Sequence, residues 1–246
     1  MINFTHSSNF KRTIYLFLIT FFVSLYSYSQ NKSKTSQSIN FNAGAAVIDM
    51  GITPQTQNNG LRPYGLVYEL VNNYGIPVYW VIKDGKSFVD ASNKVDQTDI
   101  TVKGTTTRLG NTSTGFVELK AGPFIIPAEF IDDAYAVIET WQANNLGLTV
   151  YWNLEAAGIQ NVPVRGVIST FPNTVIYPVG GDINSNNDTD IEVGFYNRAG
   201  IPESSGLFRK GNPTDITACD QFYVLSHHTD PEENWDQADV NALFDF

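Results

Sequence analysis

The stretch NNYGIPVYW, Asn72 to Trp80, returns further along the chain as NNLGLTVYW, Asn144 to Trp152. Each copy follows an amphipathic run. Before the first, Leu66, Val67, Leu70, Val71 and Tyr74 recur at helical spacing, and before the second, Ala134, Val137, Ile138 and Trp141 do the same. Gly75 stands where a helix end wants a left-handed residue, and the branched and aromatic residues after it suit a strand. Helix, glycine stop and buried strand therefore occur twice. Convergent helix-to-strand punctuation is the plainer account of the copies, with gene duplication the other. Either way, strands that alternate with helices need crossover connections, which predicts an α/β fold: a mainly parallel sheet with helices on both faces.

The rest of the chain extends this pattern. AGAAVIDMG, closed by Gly51, reads as a buried strand ahead of the first helix. Between the copies, Thr-rich and Gly-rich alternation predicts a β-hairpin insertion around Ile100 to Leu119, and PFIIPAEF reads as a core strand. After the second copy, VPVRGVISTF, TVIYPV and DQFYVLSHH read as strands, and IEVGFYNRAGIPES as a passage into a loop. NWDQADVNALFDF starts a helix that reaches the last residue without a stop signal, which predicts a chain cut short and an exposed edge at DQFYVL.

The N-terminus reads differently. Lys11 and Arg12 precede TIYLFLITFFVSLYSYSQ, an apolar run that ends in small residues. This fits a signal peptide over 1–29, cleaved between Ser29 and Gln30, and hence a secreted, periplasmic or surface protein. An uncleaved membrane anchor is the alternative, although a span wants about twenty apolar residues. Residues 30–39 form a polar lead-in, and one domain fills 40–246. With 15 Lys plus Arg against 25 Asp plus Glu, the formal charge is -10, which argues against a nucleic-acid partner. Cys219 is the only cysteine, so no disulfide forms within the chain.

Two stretches invite a functional reading. CDQFYVLSHHTDP gathers Cys219, His227 and His228, and Asp230. On one continuous strand Cys219 and His227 would stand roughly 26 Å apart, too far for a nucleophile and its base. Cys219 is then expected to be a small buried apolar residue. His227 and His228 end that strand and Asp230 follows it, where ligands bind in parallel α/β sheets, and the three are candidate ligand or metal residues. In the second stretch, DINSNNDTDIE, Asp182, Asn184, Asn186, Asp188 and Asp190 supply oxygens at alternate positions, as a Ca2+ loop does. Asn187 stands where an EF-hand has its turning glycine, and Val193 where it has its bidentate glutamate. Nucleotide-loop, zinc-protease and serine-elbow motifs are missing.

Taken in order, NGLRPYGLVYELVNNYGIPVYWVIKDGK, GPFIIPAEFI, GFYNRAGIPES and CDQFYVLSHHTDP followed by NW resemble a family of large, uncharacterised secreted or surface proteins of Gram-negative bacteria. Their N-terminal region looks like a class I glutamine amidotransferase-like domain. The resemblance implies a flavodoxin-like doubly wound sheet and export. The family's Cys-His element falls beyond Phe246, so it implies no catalytic residue at any position here. The expectation is a noncatalytic binding or structural domain with an unknown ligand or cell-envelope partner. The alternatives are part of an amidotransferase-like hydrolase and a calcium-stabilised adhesin module.

Overall fold

Each copy of the repeated stretch joins a helix to the strand that follows it. In the first, helix α1 (Arg62–Tyr68) continues as a π-helical turn (Glu69–Asn73) and leads to β3 (Val78–Val81). Gly75 has φ +66°; its N–H donates to Val71 O, and the N–H of Ile76 donates to Leu70 O. Those two bonds satisfy carbonyls the helix end would leave bare, and only glycine adopts that backbone cheaply. In the second copy, α2 (Ile131–Asn144) passes through Gly147, φ +88°, into β7 (Val150–Asn153). The expected faces are buried, apart from Trp141, which is partly buried, and Tyr74, which is exposed.

The computed structural model describes residues 35–56, 58–86, 98–108, 115–177, 191–225 and 235–246, and Ser36–Phe246 forms one unit. The signal segment falls outside the described residues.

The remaining strands of the main sheet are β1 (Gln37–Phe41), β2 (Ala46–Ile48), β4 (Ile100–Thr105), β5 (Phe116–Leu119), β6 (Phe124–Ile126) and β8 (Ile159–Ile168). The eight-stranded sheet has the order β1-β8-β3-β6-β2-β7-β4-β5, and every pair in it is antiparallel. The mainly parallel, flavodoxin-like sheet expected from the sequence is therefore not the fold. The crossovers do return parallel strands, β2 to β3 through α1 and β6 to β7 through α2. However, β6 lies between β2 and β3, and β2 lies between β6 and β7. Two split β–α–β units thus interleave, and each inserted strand runs opposite to its neighbours.

Burial explains why these strands resemble those of a parallel sheet. Ala46, Ile48, Phe124, Ile126, Val150 and Trp152 face the helices and pack with Leu66, Leu70, Ala134 and Ile138. Val47, Val81 and Ile125 face the other way and meet Phe41, Val102, Leu119, Ile159 and Val164. This second cluster draws on strands from both ends of the sheet. The sheet curls into a half-barrel that brings β4 toward β8 and fills its own concave side. With both faces covered, alternation disappears from the sequence.

The hairpin forms as expected, Ile100 opposite Leu119, but β4 also pairs with β7, so it extends the sheet. β1 begins at Gln37, inside the stretch read as a polar lead-in, and Ser36 is tied by its N–H and hydroxyl to Asp84.

Among the described residues, parallel pairing is confined to a second, three-stranded sheet, ordered β10-β9-β11. Its strands are β9 (Thr174–Tyr177), β10 (Phe208–Lys210) and β11 (Phe222–Leu225). Helix α3 (Ile191–Ala199), where the sequence suggested a loop, lies between β9 and β10. Helix α4 (Gln237–Asp245) closes the chain, started by a capping box of Asp236 and Asp239.

Candidate functional site

Strand alternation sends Thr174 and Ile176 of β9 to one face of the small sheet, and the side chain of Val224 in β11, opposite Ile176, shares it. Phe195, Tyr196 and Ala199 of α3 and Leu61 and Tyr64 at the start of α1 stand across from that face. Between them lies a cavity of about 380 Å3. Phe171, Pro172, Ile201 and Leu207 complete its wall, and no charged side chain takes part among the described residues.

The walls are held from behind. Tyr196 stacks on Phe208 with ring centres 4.3 Å apart, and Phe171 meets Tyr68 edge to face at 5.4 Å. Of the three lining side chains that carry hydroxyls, Tyr64, Thr174 and Tyr196, the last two are linked. Tyr196 Oη donates to Thr174 Oγ1 over 3.5 Å, and Thr174 Oγ1 donates to Pro172 O over 3.4 Å. Both bonds are long, so a better-placed acceptor or donor on a ligand would compete with them.

A charged clamp braces β10 from outside the cavity. Arg209 binds Asp220 through two parallel bonds of 2.8 and 2.9 Å, and Asp220 Oδ2 accepts from the N–H and hydroxyl of Thr217. Burial works against the Asp220 carboxylate, but the bonds from Arg209 and Thr217 outweigh it and hold its pKa below the ordinary value. On the opposite face of the sheet, Tyr223 packs near Trp235 and donates to Gly211 O. Burial foremost, then Tyr177, Asp239 and Asp215, push the Tyr223 phenol up.

The residues singled out in the sequence fare unevenly. Cys219 is exposed, not buried. It lies in a turn before β11, because the strand is only Phe222–Leu225 and does not reach back to it. Its peptide carbonyl accepts from the side chains of Asn173 and Gln221, which fixes the turn. His227, His228 and Asp230 lie outside the described residues, as do Asp182, Asn184, Asn186, Asp188 and Asp190. The strands that precede these two segments end side by side, with Tyr177 opposite Leu225 in parallel pairing. Among the described residues, no group of three or more His, Cys, Asp or Glu side chains could hold a metal ion.

No family model, curated protein or solved structure matches the chain.

The cavity was not legible in the sequence. Its walls come from segments separated by more than a hundred residues, and its aromatic residues look like core. Leu61 and Tyr64, Phe195 to Ile201, and Val224 fall within three separate motifs, but nothing in the sequence joins those motifs into one site.

Proposed function

We propose that this chain is an exported, noncatalytic binding module that holds an apolar group in the cavity between α1, α3 and the small sheet. The observation that carries the reading is the cavity itself. Its size, aromatic and aliphatic walls, and paired hydroxyls are the usual make-up of a small-ligand site. Among the described residues the walls hold the hydroxyls of Tyr64, Thr174 and Tyr196 and no carboxylate, imidazole, amine or thiol, which suits holding better than turnover. Export rests on the sequence from Lys11 to Gln30. An amidotransferase-like hydrolase has lost the doubly wound sheet on which that alternative rested.

Methyl NMR with indole and hexanoate as probes tests the reading. Saturable shifts are expected at Ile176, Ile201, Leu207 and Val224. Phe195→Ala, a change at a half-exposed wall residue, is expected to weaken binding by about tenfold, one large apolar contact's worth. Probes that shift none of these methyls would overturn it.

A further inference from the structure

We infer that the natural occupant of this cavity is an apolar side chain of an extended peptide that pairs with the edge of β11. The inference rests on the binding role proposed above and names the partner. β11 closes one side of the small sheet. Phe222 N–H donates to Asn173 O, so Phe222 and Val224 turn their backbone groups toward β9. Alternation then turns the N–H and C=O of Tyr223 and Leu225 outward, where no described group meets them.

Two of the other edges carry charged side chains, and among the described residues β11 carries none. β5 carries Glu118, β10 carries Arg209 and Lys210, and β1 begins Gln37-Ser38. Charged residues such as those of β5 and β10 keep foreign strands off a sheet. β11 reads FYVL, with Phe222 54% and Leu225 45% exposed. An open row of backbone donors and acceptors beside apolar side chains is what an added strand requires.

The cavity lies on the matching face. Val224 is both an edge residue and a cavity wall. A strand added beside β11 would lie about 4.8 Å away, and its residue opposite Val224 would project on the cavity side. The backbone would supply affinity and the cavity would select a large apolar side chain at that position. With a formal charge of -10 on the chain, a neutral or basic peptide fits better than an acidic one.

The test uses the full chain and a panel of capped seven-residue peptides of alternating Thr and Val, with Lys at both ends and Phe, Leu, Trp or Ala in the centre. Saturable binding is expected for a large apolar centre, with slowed amide exchange at Tyr223 and Leu225. Replacing the central residue by Ala, or N-methylating the peptide's pairing amides, is expected to weaken binding by about tenfold or more, roughly one hydrogen bond or one apolar contact. Leu225→Pro removes an outward N–H at an edge position where proline is tolerated; it is expected to abolish peptide binding and spare indole binding. Indole binding without peptide binding, or equal affinity for the N-methylated peptide, overturns the inference and leaves the binding role standing. Failure of both probes overturns both. Amide protection at β11 that appears with chain concentration alone would assign the edge to a second copy, against the inference.

Discussion

Gly65 of α1 faces the peptide carbonyl of Ala199, the last residue of α3, with no room for a side chain between them. A methyl group on Gly65 would overlap that oxygen and also meet the ring of Trp141 at 2.6 Å. The two helices that wall the cavity are thus set at contact distance by a missing side chain.

Gly65→Ala is therefore expected to destabilise the fold although alanine favours helices. Overpacking against backbone costs about 1–3 kcal/mol or more, which lowers Tm by roughly 2–12 °C in a domain of this size. Gly166→Ala is the control, since nothing lies within 4 Å of its Cβ position. Thermal melts of the two variants side by side check this, and equal Tm values would count against the contact.

Asp99 holds the hairpin to the end of β3. Its buried carboxylate accepts from Lys83 N–H at 2.9 Å, Gly122 N–H at 2.9 Å and Lys86 Nζ at 2.8 Å. Asp99→Ala takes the carboxylate from two amides and leaves the Lys86 ammonium only its bond to Lys120 O, so a loss of about 3–5 kcal/mol is expected. Lys86→Ala leaves the carboxylate its two backbone donors and should cost less. Urea unfolding ranks the pair, and the reverse order would sink this account.

The Arg209–Asp220 clamp makes stability depend on pH. Because the folded-state pKa of Asp220 is depressed, the folded state holds fewer protons than the unfolded state as pH falls through the ordinary carboxylate value of about 3.9. The clamp's contribution is full above that value and is lost as pH falls through the folded pKa. The stability gap between the wild type and Asp220→Asn should be widest near neutrality and shrink toward strong acid. Urea midpoints measured across that range check it.

The two copies of the repeat diverge at their last residue. Trp152 is 3% exposed and packs on Tyr135, whereas Trp80 is 39% exposed, stacks on Phe124 and lies opposite Gly166, which offers no side chain. Trp152→Ala should cost about 3–5 kcal/mol as a buried truncation, and Trp80→Ala clearly less. Chemical denaturation of both variants decides, and equal losses would mean that the copies are energetically alike.

The sequence by itself determined the local pieces. Helical spacing placed Leu66 to Val71 and Ala134 to Ile138 on buried faces, Gly75 marked a helix end, and Val78 to Val81 and Val150 to Asn153 were strands. Period and capping act over a few residues, so a single chain displays them. It also carried the direction rule, since a strand, a helix and a return strand do leave β2 parallel to β3. Only the tertiary structure decided adjacency. Whether β6 enters between β2 and β3 depends on contacts between segments far apart in the chain, and two-sided burial erased the alternation that betrays an antiparallel sheet. The cavity belongs to the same class: Tyr64, Phe195 and Val224 become neighbours only when α1, α3 and β11 have docked.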